Sequence, residues 1–163
     1  MIVISDTTPL ISFLKIGHLD LLKKEFGVVK IPRAVYNELT QNPRFTEEAK
    51  SIQQCSFIEV IDLEDTEKVN ILKRATGLDL GESEAIILTD KLQADLLLMD
   101  EAKGRMVAKQ MDLKISGTIG ILISAYTKGN LSADEIKASI EILKNSGRHI
   151  GEKLYNMLLE KIK

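Results

Sequence analysis

Cysteine is almost missing: Cys55 is the only one among 163 residues. No internal disulfide and no cysteine-rich zinc site can form, and a reducing cytoplasm is the expected setting. Tryptophan is absent and aromatic residues make up 4%, so stacking platforms for single-stranded bases are scarce. An excess of positive charge is missing too. The formal net charge is −2 and the pI is about 5.8. This argues against a broad basic surface that grips nucleic acid by phosphate neutralisation alone. It does not exclude a nucleic-acid enzyme, because bound metal ions bring local positive charge. No apolar run reaches the length of a membrane span: Ser5 and Asp6 cut the first, and Asp100 ends the longest later one. The start lacks the features of a signal peptide, so no contact with a membrane is expected.

What is present is an ordinary globular balance, 44% hydrophobic and 28% charged, at a length that fits one domain. Ile2-Val3-Ile4 reads as a buried strand. Thr8-Pro9 opens a helix with Leu10, Ile11 and Leu14 on its apolar stripe. Strands follow at 27–31, 57–61 and 95–99, with a short fifth at 113–116. Between them lie helices from Pro32, from Thr46, over 65–75 with Gly77 as its stop, over Ala85–Leu88 and over 101–111. Three more helices are expected around 118–127, 132–144 and 150–161. Strands that alternate with helices imply a mainly parallel sheet covered on both faces. In such sheets the ligand site lies beyond the carboxyl ends of the strands.

Acidic residues gather at those positions. Asp6 follows the first strand and Asp100 the fourth. Glu38 falls on the stripe of Ile31, Val35 and Leu39. Glu82 stands three and four residues before Ala85 and Ile86, and Glu84 bears the same relation to Ile87 and Leu88. Buried carboxylates without partners cost several kcal/mol, of the order of known ion-desolvation penalties. A shared Mg²⁺ or Mn²⁺ is the economical compensation, since hard cations take oxygen ligands. Such an ion activates water and stabilises charge on a phosphoryl oxygen, so no nucleophilic side chain is needed. Each acid also has an ordinary explanation. Asp6 before Thr-Thr-Pro is good turn chemistry, Glu38 could be a solvated edge residue, Glu82 suits a helix N-terminus, and Asp100 could cap the helix from Glu101. Thr118 after Gly117 has the look of a helix cap, and Lys103 and Arg105 could contact phosphate or simply be solvated. His18 and His149 stand alone and take no catalytic role. Cys55 is expected as a small buried apolar residue.

Taken in order, several segments resemble the motifs of PIN domains. They are Val3-Ile4-Ser5-Asp6-Thr7, Ile31-Pro32-Arg33-Ala34-Val35-Tyr36-Asn37-Glu38-Leu39, Leu80-Gly81-Glu82-Ser83-Glu84-Ala85 and Leu97-Leu98-Met99-Asp100-Glu101. Ser116-Gly117-Thr118-Ile119-Gly120 resembles a Gly-Thr-x-Gly turn of one PIN subfamily. The resemblance implies an α/β/α sandwich around a central, mainly parallel sheet of about five strands, formed by residues 1–163 as one domain. It implies that Asp6, Glu38, Glu82 and Asp100 converge on Mg²⁺ or Mn²⁺, with Thr7 and Thr118 beside the metal or the phosphate. It further implies a cytoplasmic ribonuclease acting on RNA, in many members the toxin of a toxin–antitoxin pair (VapC-like proteins), with a protein antitoxin and a homodimer as the corresponding partners. Two features depart from the toxin pattern. The third acid lies in Gly-Glu-Ser-Glu, where toxins usually carry aspartate, so Glu82 and Glu84 both stand as third ligand. Extra helix extends over about 132–161. A catalytically weak PIN-fold binding module is the competing function. A phosphatase using Asp6 as nucleophile ranks far behind, because the second acid such enzymes place two residues on is here Thr8.

Overall fold

The computed structural model describes residues 1–147 and 150–163. The chain runs β1 (Val3–Ser5), α1 (Thr7–Lys15), α2 (Leu19–Phe26), β2 (Val29–Pro32), α3 (Arg33–Gln41), a 3₁₀ turn (Pro43–Phe45), α4 (Thr46–Gln53) and β3 (Ile58–Ile61). It continues with α5 (Thr66–Thr76), α6 (Leu80–Lys91), β4 (Leu96–Leu98), α7 (Ala102–Gln110), β5 (Ile115–Ser116), α8 (Thr118–Thr127), α9 (Ala133–Asn145) and α10 (Glu152–Lys161). The expected His149 lies outside the described residues. No helix among the described residues is long and apolar enough to cross a membrane.

All five strands are parallel, in the order β3-β2-β1-β4-β5. The chain builds outward from β1 to β3, then returns to the other side of β1 and builds outward again through β4. The strand order therefore reverses between β1 and β4. A crevice opens beyond the carboxyl ends of strands at such a reversal, and ligands bind there. Val3, Ile4 and Ser5 pair with Leu96, Leu97 and Leu98, which sets the ends of these two strands side by side.

Period-two alternation distributes the core onto both faces of the sheet. Val3, Val29, Ile31 and Leu98 join a cluster with Phe13, Leu22, Val35, Ile121 and Ile140. Ile4, Leu97 and Met99 face the other way, into a cluster with Ala85, Ile86, Leu88, Val107 and Ala108. The result is the α/β/α sandwich, with α5, α6 and α7 on one side and α1, α8 and α9 on the other. Helix α6 is buried at every position from Ala85 to Thr89, which explains why it is apolar on all sides.

Several boundaries moved. Helix α3 begins at Arg33 because Pro32 completes β2, paired with Ile61. Helix α6 begins at Leu80, upstream of the expected start, because Asp79 and Glu82 form a capping box there. Gly77 ends α5 as expected, in a left-handed conformation with φ of 75°. Cys55 is half-buried rather than buried, and its partial burial pushes the thiol pKa up.

Candidate active site

Asp6 occupies the junction between β1 and α1. Its amide donates to the Leu98 carbonyl at 3.0 Å, stitching the end of β1 to the end of β4. The residue is 3% exposed. Its side chain makes no capping bond to the later amides of α1, although the Thr7 amide lies near enough to stabilise the carboxylate. Burial pushes its pKa up to about 7; the Thr7 amide pulls the other way, and the charges of Asp79, Glu38 and Asp100 add to the rise. A carboxylate held so close to three others, with little water, stores electrostatic cost that a cation would relieve.

Glu38 enters from α3. Val35 and Leu39 are buried, while Glu38 itself is exposed at the edge of that face. Its Oε2 accepts a hydrogen bond from Thr7 Oγ1 at 2.9 Å. Helix α6 approaches α3 closely at Gly81, where a Cβ would lie 3.3 Å from Glu38 Oε2 and 3.6 Å from Asp79 Oδ1. A larger residue at position 81 would crowd both carboxylates.

Asp100 is half-buried and clamped from the first turn of α8. Its Oδ1 accepts from the Thr118 amide at 2.7 Å, and its Oδ2 accepts from Thr118 Oγ1 at 2.6 Å. It does not cap α7; Glu101 does, accepting from the Gly104 amide at 2.7 Å. Thr118, expected as a helix cap or, from the resemblance, beside the metal or the phosphate, binds both oxygens of Asp100. Arg105 is anchored beside it by a bond from Nη1 to the Met99 carbonyl at 2.9 Å. Lys103 lies further along, with Nζ 2.9 Å from where a Cβ on Gly77 would sit.

The two glutamates of Gly-Glu-Ser-Glu part company. Glu82 Oε1 accepts from the Asp79 amide at 3.0 Å, and Asp79 Oδ1 accepts from the Glu82 amide at 2.8 Å. Burial, then the nearby Asp79 charge and a hydrogen bond shared with Glu101, push the Glu82 pKa up to about 8. Glu101 is held below its ordinary range: its burial is outweighed by the amides of Gly104 and Lys103, the bond from Glu82 and the Lys103 charge. Glu84 turns to α3, where its Oε1 accepts from the Ala34 amide at 3.1 Å. It caps a helix that has no side-chain cap of its own, because Pro32 stands at the N-cap.

Asp6, Glu38 and Asp100 therefore share one neighbourhood, as the sequence suggested, and Asp79 joins them unforeseen. The signal for Asp79 was available: Asp-x-x-Glu directly ahead of an apolar run is a capping box. Among the described residues, no three Asp, Glu, His or Cys side chains stand close enough to enclose a metal ion as they lie. The donor set nonetheless suits a hard cation. It offers only oxygens, and Mg²⁺ takes one or two carboxylates while keeping several waters.

No curated protein matches the chain. A family model described as a PIN domain matches residues 2–163. With its all-parallel five-stranded sheet and acids at the carboxyl ends of β1 and β4, the chain belongs to the PIN-domain family.

Proposed function

We propose that this protein is a metal-dependent nuclease that hydrolyses phosphodiester bonds of RNA. The observation that carries the reading is Asp6: a nearly inaccessible carboxylate, pushed up to about 7, facing Asp79, Glu38 and Asp100 at the strand-order reversal. A carboxyl perturbed mainly by burial, with further acids beside it in a cleft, is a feature shared with functional sites and supports the reading. The family is generally one of nucleases, which agrees.

Asp6 and Asp100 would hold Mg²⁺ or Mn²⁺, with Glu38 and Asp79 or Glu82 reaching it directly or through water. When bound, the ion supplies an acidic water and neutralises charge on a phosphoryl oxygen. The chain's own groups do the rest. Thr118 holds both oxygens of Asp100, which limits its rotation. Thr7 holds Glu38 by one oxygen and leaves the other for a ligand or water. Arg105 borders Asp100 and would provide positive charge to a phosphate there, while Lys103 lies beside Glu101. Asp6 must lose its proton for metal to enter, so uptake is coupled to proton release. A toxin role with an antitoxin partner, and a homodimer, follow only from the family likeness and belong to the same proposal.

A second reading, a PIN-fold binding module of weak activity, has one observation on its side. Several carboxylates of the site already have protein partners: Glu38 accepts from Thr7, Asp100 from Thr118, and Glu82 from the Asp79 amide. Calorimetric titration of Mn²⁺ separates the two, run on wild type and on the Asp6→Asn/Asp100→Asn double variant beside a cleavage assay on labelled RNA. The nuclease reading expects binding and cutting by wild type only. Cutting that survives the double substitution overturns it, and Mn²⁺ binding without turnover on varied RNAs selects the binding module.

A further inference from the structure

Beside Asp100 lies a pocket of about 430 Å³, within the size range of small-ligand sites. Its polar end is formed by Asp100, Arg105, Ser116 and Thr118. Its apolar walls come from Ile119 and Ile123 of α8, Leu143 of α9, and Leu154 and Met157 of α10. Helices α9 and α10, at the C-terminal end of the chain, complete the pocket.

Two glycines keep it open. A Cβ on Gly117 would sit 2.8 Å from Asp100 Oδ1 and 3.0 Å from Arg105 Nη1. A Cβ on Gly120 would sit 2.8 Å from Ser116 Oγ. Gly117 has φ of −104° and Gly120 lies inside α8, so neither conformation demands glycine; the space does. Across from them, Leu154 and Met157 line the pocket and are 38% and 44% exposed among the described residues.

We infer that this pocket receives one unstacked nucleobase of single-stranded RNA, next to the phosphodiester that the carboxylates act on. The inference rests on the nuclease reading above. Three observations select a base as occupant. The pocket shares Asp100 with the acidic site, so a nucleotide whose phosphate lies there can reach it with its base. Aliphatic walls take the base faces that aromatic residues take in other proteins, and this chain has few aromatics. The Arg105 guanidinium at the polar end is anchored by one N–H and presents a planar cation with further donors to a base edge or face. A paired base in a duplex is stacked and cannot enter.

The test uses the full-length protein and a short labelled single-stranded RNA, with an abasic nucleotide placed at each position in turn. In Mn²⁺, one position beside the cut should lower kcat/KM about tenfold when its base is removed, and the same RNA annealed to its complement should resist cutting. Met157→Trp, and separately Leu154→Trp, fill the pocket from exposed positions of α10. Each should cut intact RNA as slowly as wild type cuts the sensitive abasic RNA, with no further loss on that RNA. A flat abasic scan overturns the inference, and so do Trp variants that cut intact RNA at the wild-type rate. If wild type cuts no RNA, the nuclease reading fails by itself. Fluorescence anisotropy of the same oligonucleotides in EDTA then decides the pocket, with equal affinity for intact and abasic RNA counting against it.

Discussion

Asp6 makes the metal-free protein sensitive to pH in a calculable way. In the unfolded chain its carboxyl titrates near 3.8; in the folded chain, burial and the neighbouring acids push it up to about 7. Between these values the folded state binds a proton that the unfolded state has released. Stability is therefore highest below about pH 4 as far as Asp6 is concerned, falls as pH rises to about 7, and stays flat above. At about 1.36 kcal/mol per unit, the loss is on the order of 4 kcal/mol, a large part of a typical folding free energy. Asp6→Asn removes the titration and keeps the shape. Urea unfolding followed by circular dichroism, in EDTA from pH 4 to pH 8, measures the difference. The Asn variant should match wild type near pH 4 and exceed it at pH 8 by about 2 to 4 kcal/mol, allowing for relaxation around the charge. Mn²⁺ at a hundred times its Kd should return about 2.7 kcal/mol to wild type at pH 8 and nothing to the variant. Parallel pH profiles would show that Asp6 does not carry this proton and would remove the electrostatic basis of the proposed site.

The glutamates of α6 should separate by readout: Glu82→Gln lowers cleavage with little change in stability, whereas Glu84→Ala removes the cap of α3 and costs about 1 kcal/mol in urea unfolding. Thr118→Val should lower the turnover rate more than it raises KM, because it removes the hydroxyl bond that orients Asp100; a purely structural Thr118 would leave the remaining activity's kcat intact. Ser83 Oγ is buried and makes no hydrogen bond among the described residues, so Ser83→Ala should raise stability by about 1 kcal/mol, and a loss would mean the hydroxyl has a bound water or ligand. Gly104→Ala would drive a Cβ into Met99 Sδ in the core and should cost about 1 to 3 kcal/mol, read as a lowered Tm.

The alternating pattern of short apolar strands and amphipathic helices made the sheet legible, because burial on both faces writes runs such as Ile2–Ile4 and Leu96–Met99 into the chain. Asp6 and Asp100 were legible for the same reason: each ends an apolar run, and parallel strands place such ends at one edge. Glu38 was only half legible. Its spacing from Val35 and Leu39 located the face, but not that the carboxylate would come out exposed at its edge and be held by Thr7. Asp79 was missed although Asp-x-x-Glu marks a helix cap, because a cap does not announce a tertiary neighbour: its approach to Asp6 depends on how α6 packs across β1.

What the sequence alone determined, then, is the class of fold and the two acids at strand ends, since both follow from local hydrophobicity and chain direction. The tertiary structure decided what local pattern cannot express. The β1–β4 adjacency puts the strand-order reversal, and so the crevice, between Asp6 and Asp100. Helix packing sends Glu82 toward Asp79 and Glu101, and Glu84 toward α3, although they lie two residues apart, because a helix turns its side chains by about 100° per residue. The folding of α9 and α10 against α8 creates the pocket at Asp100, from residues too far apart in sequence to announce one another.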